Sequence, residues 1–455
     1  MEDVQIIAAG SFDTSGNEKH SILVIGWVLD APLDPLILEH AWAKLNSDWP
    51  ILSARLRNNG KEWEFHVPKS ANRYGFRHLA VNAPIASRYD YPKISADSIQ
   101  CTIKHFPYDL YSDPACRSMN DLFTKDIPNA ALQLTNFEDA SIVGLTIPHV
   151  LADGHGVKVV LNALLQTLHG EEVAPIDPIP EPFAKFKDVP QPPAVVGWRL
   201  FNFFQMLTFV ACMLWDRIRY PKYEVRELYV PQKEVERIKQ QAMDDIRNEL
   251  GEQTGEWVST SDALVAFTLK GMYPSETSQR SFSLMYSANI RSQVPSLVPP
   301  VYLGNAAYGV VLSRPVKEIS SMSLGALALL VRRILQEQTS QAATEDYLRW
   351  RLSPINFRKM TMFMEPSGLW NVITNWRNMK LMDVDFTPAL PSGSEVKSVN
   401  CVYLGSGSHM TFPTRHCFGL TADDPRGGVW MSGDLAKEMW ERKDGFGRFA
   451  PSNSQ

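Results

Sequence analysis

A dense cluster of prolines near the middle of the chain separates two longer stretches with regular hydrophobic patterns. Prolines at this density remove backbone donors and prevent regular secondary structure. The chain has 455 residues, more than the roughly 100–200 residues of a usual single domain. We therefore predict an N-terminal domain over residues 1–175, a crossover linker with an apolar helix over 176–224, and a C-terminal domain over 225–455. The seven prolines are Pro175, Pro178, Pro180, Pro182, Pro190, Pro192 and Pro193.

Both halves alternate strand-like and helix-like patterns, which predicts a mixed α/β fold. Asp34 followed by Pro35 indicates a helix start, and Ser259 or Ser261 indicates another. The predicted strands lie at 21–29, 51–57, 63–67, 131–136, 141–147 and 281–287, and near 370–376, 399–404 and 429–432. The predicted helices lie at 36–45, 157–168, 235–250, 263–272 and 324–338.

Composition argues against several classes of protein. The net charge is −5 and no long basic run is present, whereas a nucleic-acid-binding protein is expected to have a basic face. The five cysteines are widely spaced and form no C-x-x-C pair, so we expect reduced thiols and neither a disulfide framework nor a zinc knuckle. Glu2 and Asp3 stand where a signal peptide needs basic residues. We expect a cytoplasmic monomer.

One apolar segment, residues 200–215, resembles a membrane helix in composition. It is shorter than the roughly 20 residues that a spanning helix needs, and Asn202, Gln205 and Thr208 interrupt it. We predict a buried or surface-docked helix without a transmembrane span. Basic residues follow the segment, so peripheral contact with an anionic membrane stays open.

The most specific local motif is the stretch around His149 (Thr146-Ile-Pro-His-Val-Leu-Ala-Asp-Gly-His-Gly156). A predicted strand places His149 at its end, and Asp153-Gly154 then turns the chain into a helix. Histidine titrates near neutrality and suits proton removal from an attacking hydroxyl. Two alternatives remain from the residues alone: a histidine that merely ends a strand, and a metal site formed with Asp153 and His155.

Other catalytic systems lack their motifs in this sequence. We find no G-x-S-x-G elbow, no phosphate-binding G-x-x-x-x-G-K-[ST] loop and no G-x-G-x-x-G after a strand. Covalent serine catalysis, ATP hydrolysis and dinucleotide redox chemistry are therefore disfavoured. A single base acting on two bound substrates fits the sequence best.

At this point the chain resembles the BAHD family of coenzyme-A-dependent acyltransferases, in particular its fungal branch, which includes the trichothecene acetyltransferases. His149 to Gly154 matches the family's H-x-x-x-D-G motif. Four further segments follow in the family's order: Trp257–Leu264 ("STxDAL"), Asn289-Ile290-Arg291 ("D-x-R") with Pro299-Pro300 and Tyr302-Leu303-Gly304-Asn305, Thr374-Asn375-Trp376 ("T-S-W"), and Asp385-Phe386 ("D-F-G-W-G"). Two departures stand out, since Asn289 replaces an aspartate and Asp385-Phe386 is followed by Thr-Pro-Ala.

The resemblance implies two chloramphenicol-acetyltransferase-like domains with an active-site channel between them. It implies that His149 is the general base and that Asp153 pairs with Arg291 to hold the turn, in which Gly154 gives structural support. Thr374 and Trp376 would line the channel and stabilise the reaction intermediate. Ser259 would lie near the coenzyme.

The expected function is transfer of an acyl group, by this resemblance acetyl, from acyl-coenzyme A to a hydroxyl or amine of a small apolar secondary metabolite. We expect acyl-coenzyme A as a co-substrate, no permanently bound cofactor and no metal. Two alternatives remain: a member of the same fold that rearranges a natural product without coenzyme A, and a non-catalytic small-molecule binder.

Overall fold

The computed structural model describes residues 4–69, 73–94, 98–176, 181–410 and 415–450. Pro178 and Pro180 of the predicted linker lie outside these ranges. The strands are β1 (Val4–Ala8), β2 (Ser21–Leu29), β3 (Arg55–Asn58), β4 (Trp63–Pro68), β5 (Gly75–Ala80), β6 (Gln100–Ile103), β7 (Ala131–Asn136), β8 (Ser141–Pro148), β9 (Tyr223–Val230), β10 (Ser281–Asn289), β11 (Ala307–Pro315), β12 (Leu369–Asn375), β13 (Cys401–Met410), β14 (Cys417–Asp423) and β15 (Val429–Ala436).

Helices and strands alternate along most of the chain, so the predicted mixed α/β class is confirmed. The helices are α1 (Pro35–Asp48), α2 (Tyr108–Tyr111), α3 (Met119–Thr124), α4 (Gly154–Leu168), α5 (Phe203–Arg219), α6 (Gln232–Leu250), α7 (Thr260–Met272), α8 (Val316–Ser321), α9 (Leu324–Gln338), α10 (Gln341–Leu352) and α11 (Lys437–Glu441).

The strands form three sheets. A five-stranded sheet has the order β13-β2-β8-β7-β5, and a seven-stranded sheet has the order β11-β10-β12-β14-β15-β9-β6. Both are mixed, because β5 is parallel to β7 and β12 is parallel to β10 and β14. The small sheet β1-β4-β3 is antiparallel.

Each large sheet contains one strand from the other half of the chain. β6 pairs with β9 in the seven-stranded sheet, and β13 pairs along its length with β2 in the five-stranded sheet. The division into domains at residues 175 and 225 stays a proposal, and in this topology each half is completed by a strand of the other.

Central strands are apolar on both faces because layers cover both sides of the sheet. Every residue of β2 and of β8 is buried. α1 and α4 contribute to the core of this sheet, and α6, α7 and α9 contribute to that of the seven-stranded sheet. Asp34 caps α1 by accepting from Leu36 N at 2.8 Å, with Pro35 in the first turn, as the sequence predicts.

One predicted strand is partly wrong. The sequence predicts the first strand of a hairpin over residues 51–57, but Pro50–Ser53 form a short 3₁₀ turn and β3 covers only Arg55–Asn58. Pro50 removes a donor and fixes the backbone at the start of a turn. Ile51 and Leu52 are buried in the turn, so their apolar character reflects core packing.

The apolar segment after the linker forms α5, which lies on the surface with no fully buried residue. Beneath it, Val311, Met362, Phe363 and Met364 form a small separate core to which Phe209 of α5 adds. No helix within the described ranges is long and apolar enough to cross a membrane.

Candidate active site

His149 stands where the central strand β8 ends. β8 pairs with β2 up to Pro148, opposite Ile22, and the His149 backbone N donates to Ser21 O at 2.9 Å. The Pro148 carbonyl then accepts from Leu151 N at 2.9 Å, which closes a tight turn before α4. The strand therefore fixes the backbone of His149 at the end of β8, in the middle of the five-stranded sheet.

Asp153 ends the turn and is buried in a network of four donors. It caps α4 by accepting from Gly156 N at 2.9 Å, and it accepts from Ala306 N at 3.0 Å. Arg291 binds both of its carboxylate oxygens, at 2.9 and 3.0 Å. All acceptor capacity of Asp153 is directed at these groups, so the carboxylate fixes the turn between the two halves of the chain.

Burial alone would raise the pKa of Asp153. The positive charge of Arg291 and the hydrogen bonds to the carboxylate outweigh burial, so its pKa lies below the ordinary value. Asp153 is therefore ionised at neutral pH. Arg291 also donates to Gly304 O at 2.7 Å, which ties it to the loop that precedes β11.

Asn289, the residue that departs from the family pattern, still supports this arginine. Its Oδ1 accepts from Arg291 N at 3.0 Å and from Arg291 Nη1 at 3.3 Å. A neutral amide oxygen thus orients the guanidinium without a second carboxylate, and Asp153 remains its charged partner.

Two glycines allow the first turn of α4 to approach the second half closely. A Cβ at Gly156 would lie 2.0 Å from Leu303 O. A Cβ at Gly154 would lie 2.7 Å from Met379 Cε and 3.2 Å from Trp376 Cε2. The Trp376 indole therefore lies against the helix start that follows His149.

Sequence reasoning missed two polar residues that hold the backbone of His149. Asn305 donates through Nδ2 to the His149 carbonyl at 2.9 Å. Asp13 Oδ1 accepts from Asn305 N at 2.6 Å and from Asn305 Nδ2 at 2.8 Å. Asn305 ends the "Y-x-G-N" segment, so this motif could have marked it as a site residue. Asp13 belongs to no motif in the N-terminal stretch, so nothing in the sequence marks it. Burial raises the pKa of Asp13 to about 7.

Within the described ranges, no hydrogen bond fixes a proton at Nδ1 of the His149 imidazole. Nδ1 is buried and has no hydrogen-bond partner within the described ranges, while the residue as a whole is partly exposed. His155, the other histidine of the motif, is half-buried, and burial lowers its pKa. Among the residues that the structure describes, no three His, Cys, Asp or Glu side chains are grouped as metal ligands would be.

Thr374 and Trp376 lie at the end of β12. Thr374 is partly exposed and faces Gly419 of β14, where a Cβ would lie 3.4 Å from its Oγ1. Trp376 N donates to Leu420 O at 2.8 Å, which leaves the indole projecting toward Gly154. The structure thus brings His149, Asp153, Gly154, Arg291 and Trp376 into one contiguous cluster.

Ser259 has a local structural role and no described contact with that cluster. Its Oγ accepts from Asp262 N at 3.1 Å, and Asp262 accepts from Ser259 N at 2.7 Å, which is a capping box at the start of α7. The neighbouring Ser261 accepts from Arg377 at 2.9 Å, next to Trp376. The expected contact of Ser259 with the coenzyme stays a prediction.

The segment that lacks the family's Gly-Trp-Gly is structural. Phe386 is fully buried against Trp27, and Thr387–Ala389 form a 3₁₀ turn. The Ala389 carbonyl accepts from Asp34 N at 2.7 Å at the start of α1. The Thr-Pro-Ala sequence therefore forms a defined turn beside the core of the five-stranded sheet.

Known proteins resemble this chain over nearly its whole length. The acetyltransferase MATC1 of Mycosarcoma maydis is 23% identical and is matched over 97% of each chain. A Penicillium decumbens protein named transcriptional regulator calD is also 23% identical, over 96% of this chain and 94% of its own. The solved structure of F. sporotrichioides TRI101 complexed with coenzyme A and T-2 superposes with a TM-score of 0.70 at 15% identity, over 96% of each chain.

These similarities agree with the motifs and with the fold. The TRI101 match shows that the chain has the same two-domain acyltransferase fold, which confirms the predicted architecture. Residues 116–426 match the family described as "Transferase family", and this range contains His149, Asp153, Arg291 and Trp376. The chain belongs to the Transferase family, the BAHD acyltransferases whose motifs its sequence carries.

Proposed function

We propose that this protein transfers an acyl group from acyl-coenzyme A to a hydroxyl or amine of a small apolar metabolite, with His149 as the general base. The observation that carries the proposal is that Asp153 and His149, the two polar residues of the motif, differ in their hydrogen bonding. Asp153 is fully occupied by Arg291 and backbone donors, whereas the His149 ring has no partner at Nδ1 in the described ranges. Membership of the Transferase family and the name of the acetyltransferase relative support acyl transfer.

The proposed reaction proceeds in one ternary complex. His149 takes the proton from the acceptor hydroxyl while the oxygen attacks the thioester carbonyl carbon. The carbon–sulfur bond of the tetrahedral intermediate then breaks, and the same proton passes from His149 to the departing thiolate. General base catalysis of this kind is worth about 10²–10⁴-fold in rate.

Trp376 is the proposed donor to the intermediate, with Thr374 beside it on β12. Indole atom Cε2, which is bonded to the N–H nitrogen, would lie 3.2 Å from a Cβ at Gly154. The indole therefore lies beside the turn that follows His149. A donor directed at the developing oxyanion typically contributes about 10²–10³-fold. The coenzyme complex of TRI101 supports acyl-coenzyme A as the co-substrate of this chain.

The experiment compares His149→Ala with wild type by mass spectrometry of products after incubation with acetyl-coenzyme A and a panel of apolar alcohols and amines. We expect turnover to fall by at least about 100-fold, with an unchanged unfolding midpoint. His155→Ala, in the same motif, is the matched control and should keep its turnover. Wild-type turnover in His149→Ala would overturn the mechanism.

A thermal-shift titration separates this function from a rearrangement without coenzyme A. A ligand that binds only the folded chain raises its melting temperature, so acetyl-coenzyme A should stabilise the protein. If saturating acetyl-coenzyme A did not stabilise the protein, coenzyme A thioesters would be rejected as its acyl donor. The name of the calD relative does not lead us to propose DNA binding, because this chain has a net charge of −5 and no long basic run.

A further inference from the structure

Helix α5 presents its apolar side chains to solvent. Phe204 is 77% exposed and Ile218 is 71% exposed, although both are large apolar residues on a well-formed helix. Core packing does not account for such positions, and a contiguous exposed apolar patch marks an interaction surface. The exposed large apolar residues of α5 are Phe203, Phe204, Leu207, Val210, Met213, Leu214, Trp215 and Ile218.

The orientation of α5 is fixed by its opposite side. Phe209 packs against Phe201 with ring centroids 5.9 Å apart, and Asp216 accepts from Tyr223 at 2.9 Å and from Arg415 at 3.3 Å. Asn202 and Gln205 form a capping box at the first turn. These contacts turn Phe209 and Asp216 toward the protein. The opposite, apolar face of α5 is therefore held toward solvent by the fold.

The outward face has the pattern of a helix that lies in a membrane surface. At about 100° per residue, the side chains from Val210 round to Trp215 cover roughly 140° of the circumference without a charge. Arg217 borders this arc on one side, and Arg219 borders it on the other. An apolar stripe with aromatic residues and flanking arginines is what an interfacial helix requires.

The charges beside the stripe indicate which surface it meets. Arg217 and Lys222 are exposed and have no ion-pair partner in the described part of the chain. Arg219 has no acidic partner there either: it lies over the Tyr220 ring and donates from Nε to the Tyr220 hydroxyl at 3.1 Å. The acid of the helix, Asp216, already faces Arg415. The exposed charge at this end of α5 is therefore positive, on a chain whose net charge is −5.

We propose that α5 docks this protein onto anionic phospholipid membranes, with the helix lying in the plane of the headgroups. Anionic lipids neutralise the arginines while the acyl region accepts the aromatic and aliphatic side chains. A second copy that presented the same face would offer these arginines no acidic side chain, because the one acid of α5, Asp216, is turned toward Arg415. The membrane surface is thus the occupant that the charges favour.

The test is vesicle co-sedimentation of the full chain. We expect binding to vesicles of equimolar phosphatidylcholine and phosphatidylserine, and much weaker binding to phosphatidylcholine alone. The double variant Leu214→Ser/Ile218→Ser should bind at least about tenfold more weakly. Leu36→Ser/Leu250→Ser removes two residues that are also exposed, at 62% and 52%, and should bind like wild type.

A second pair of variants isolates the charge. Arg217→Gln/Lys222→Gln should weaken binding to anionic vesicles by about fivefold per residue, whereas Lys61→Gln/Lys233→Gln, at exposed positions elsewhere, should not. Failure of the wild-type chain to bind anionic vesicles at low salt would overturn the proposal. So would a dimer in light scattering that Leu214→Ser/Ile218→Ser converts to a monomer, because a second copy would then cover the face.

Discussion

Replacing Arg291 with methionine should destabilise the protein strongly at neutral pH. The side chains of Asp153 and Arg291 are 6% and 13% exposed, so the change leaves a buried carboxylate that keeps only its two backbone donors. Removal of one partner of a buried ion pair costs about 3–5 kcal/mol. We therefore expect the urea midpoint, followed by tryptophan fluorescence, to fall by roughly 1 M.

The pH dependence of this loss is the sharper part of the prediction. In wild type the pKa of Asp153 is below its ordinary value, so the stabilisation is present above the unfolded pKa of about 3.9 and is lost as pH falls through the folded pKa. Without Arg291, burial raises the pKa of Asp153. Protonation then removes the unpaired charge, so the deficit should shrink as pH is lowered from 7 toward 4.

Two further variants complete the experiment. Arg333→Met breaks an exposed pair with Glu256 and should change the free energy of unfolding by less than about 1 kcal/mol. Arg291→Met/Asp153→Asn buries no charge and should recover part of the loss. An unchanged midpoint in Arg291→Met, or a deficit equal at pH 7 and pH 5, would refute the reasoning.

Two other predictions concern the supports of the His149 turn. The pKa of Asp13 is raised to about 7, so its contribution to stability is present below about pH 4 and is lost as pH rises to about 7. Asp13→Asn should remove this pH dependence in urea titrations and should be more stable than wild type at pH 8. An Asp13→Asn variant with the pH profile of wild type would contradict this role. Gly156→Ala would place a Cβ 2.0 Å from Leu303 O and should lower the melting temperature markedly, whereas Gly255→Ala, which meets nothing within 4 Å, should melt like wild type.

The sequence was sufficient for the local parts of this site. The H-x-x-x-D-G stretch predicted a strand, a turn and a helix because periodicity and glycine placement are local signals. The pairing of Asp153 with Arg291 followed from resemblance, and the structure shows it. Element positions were predicted well wherever the apolar period was regular, as in β2, α4 and α9.

Long-range contacts could not be predicted from patterns. Asp13 reaches Asn305 across most of the chain, and nothing near Asp13 marks it as a buried acceptor. The apolar composition of α5 was visible, but which side faces solvent depends on where Phe209 and Asp216 find partners. By contrast, the sequence offers both Ser259 and Ser261 as the start of α7, and the structure places the cap at Ser259.

The pairing of β13 with β2 affects how the protein is made in a cell. Ribosomes synthesise the chain from its N-terminus, so β2 and β8 exist long before residue 410 emerges. Until then, one edge of a strand that is entirely buried in the finished fold lacks its neighbour. Unpaired edges of this kind invite association between nascent chains. We therefore expect completion of the five-stranded sheet to be among the last events of biogenesis, and interrupted synthesis to yield an aggregation-prone fragment.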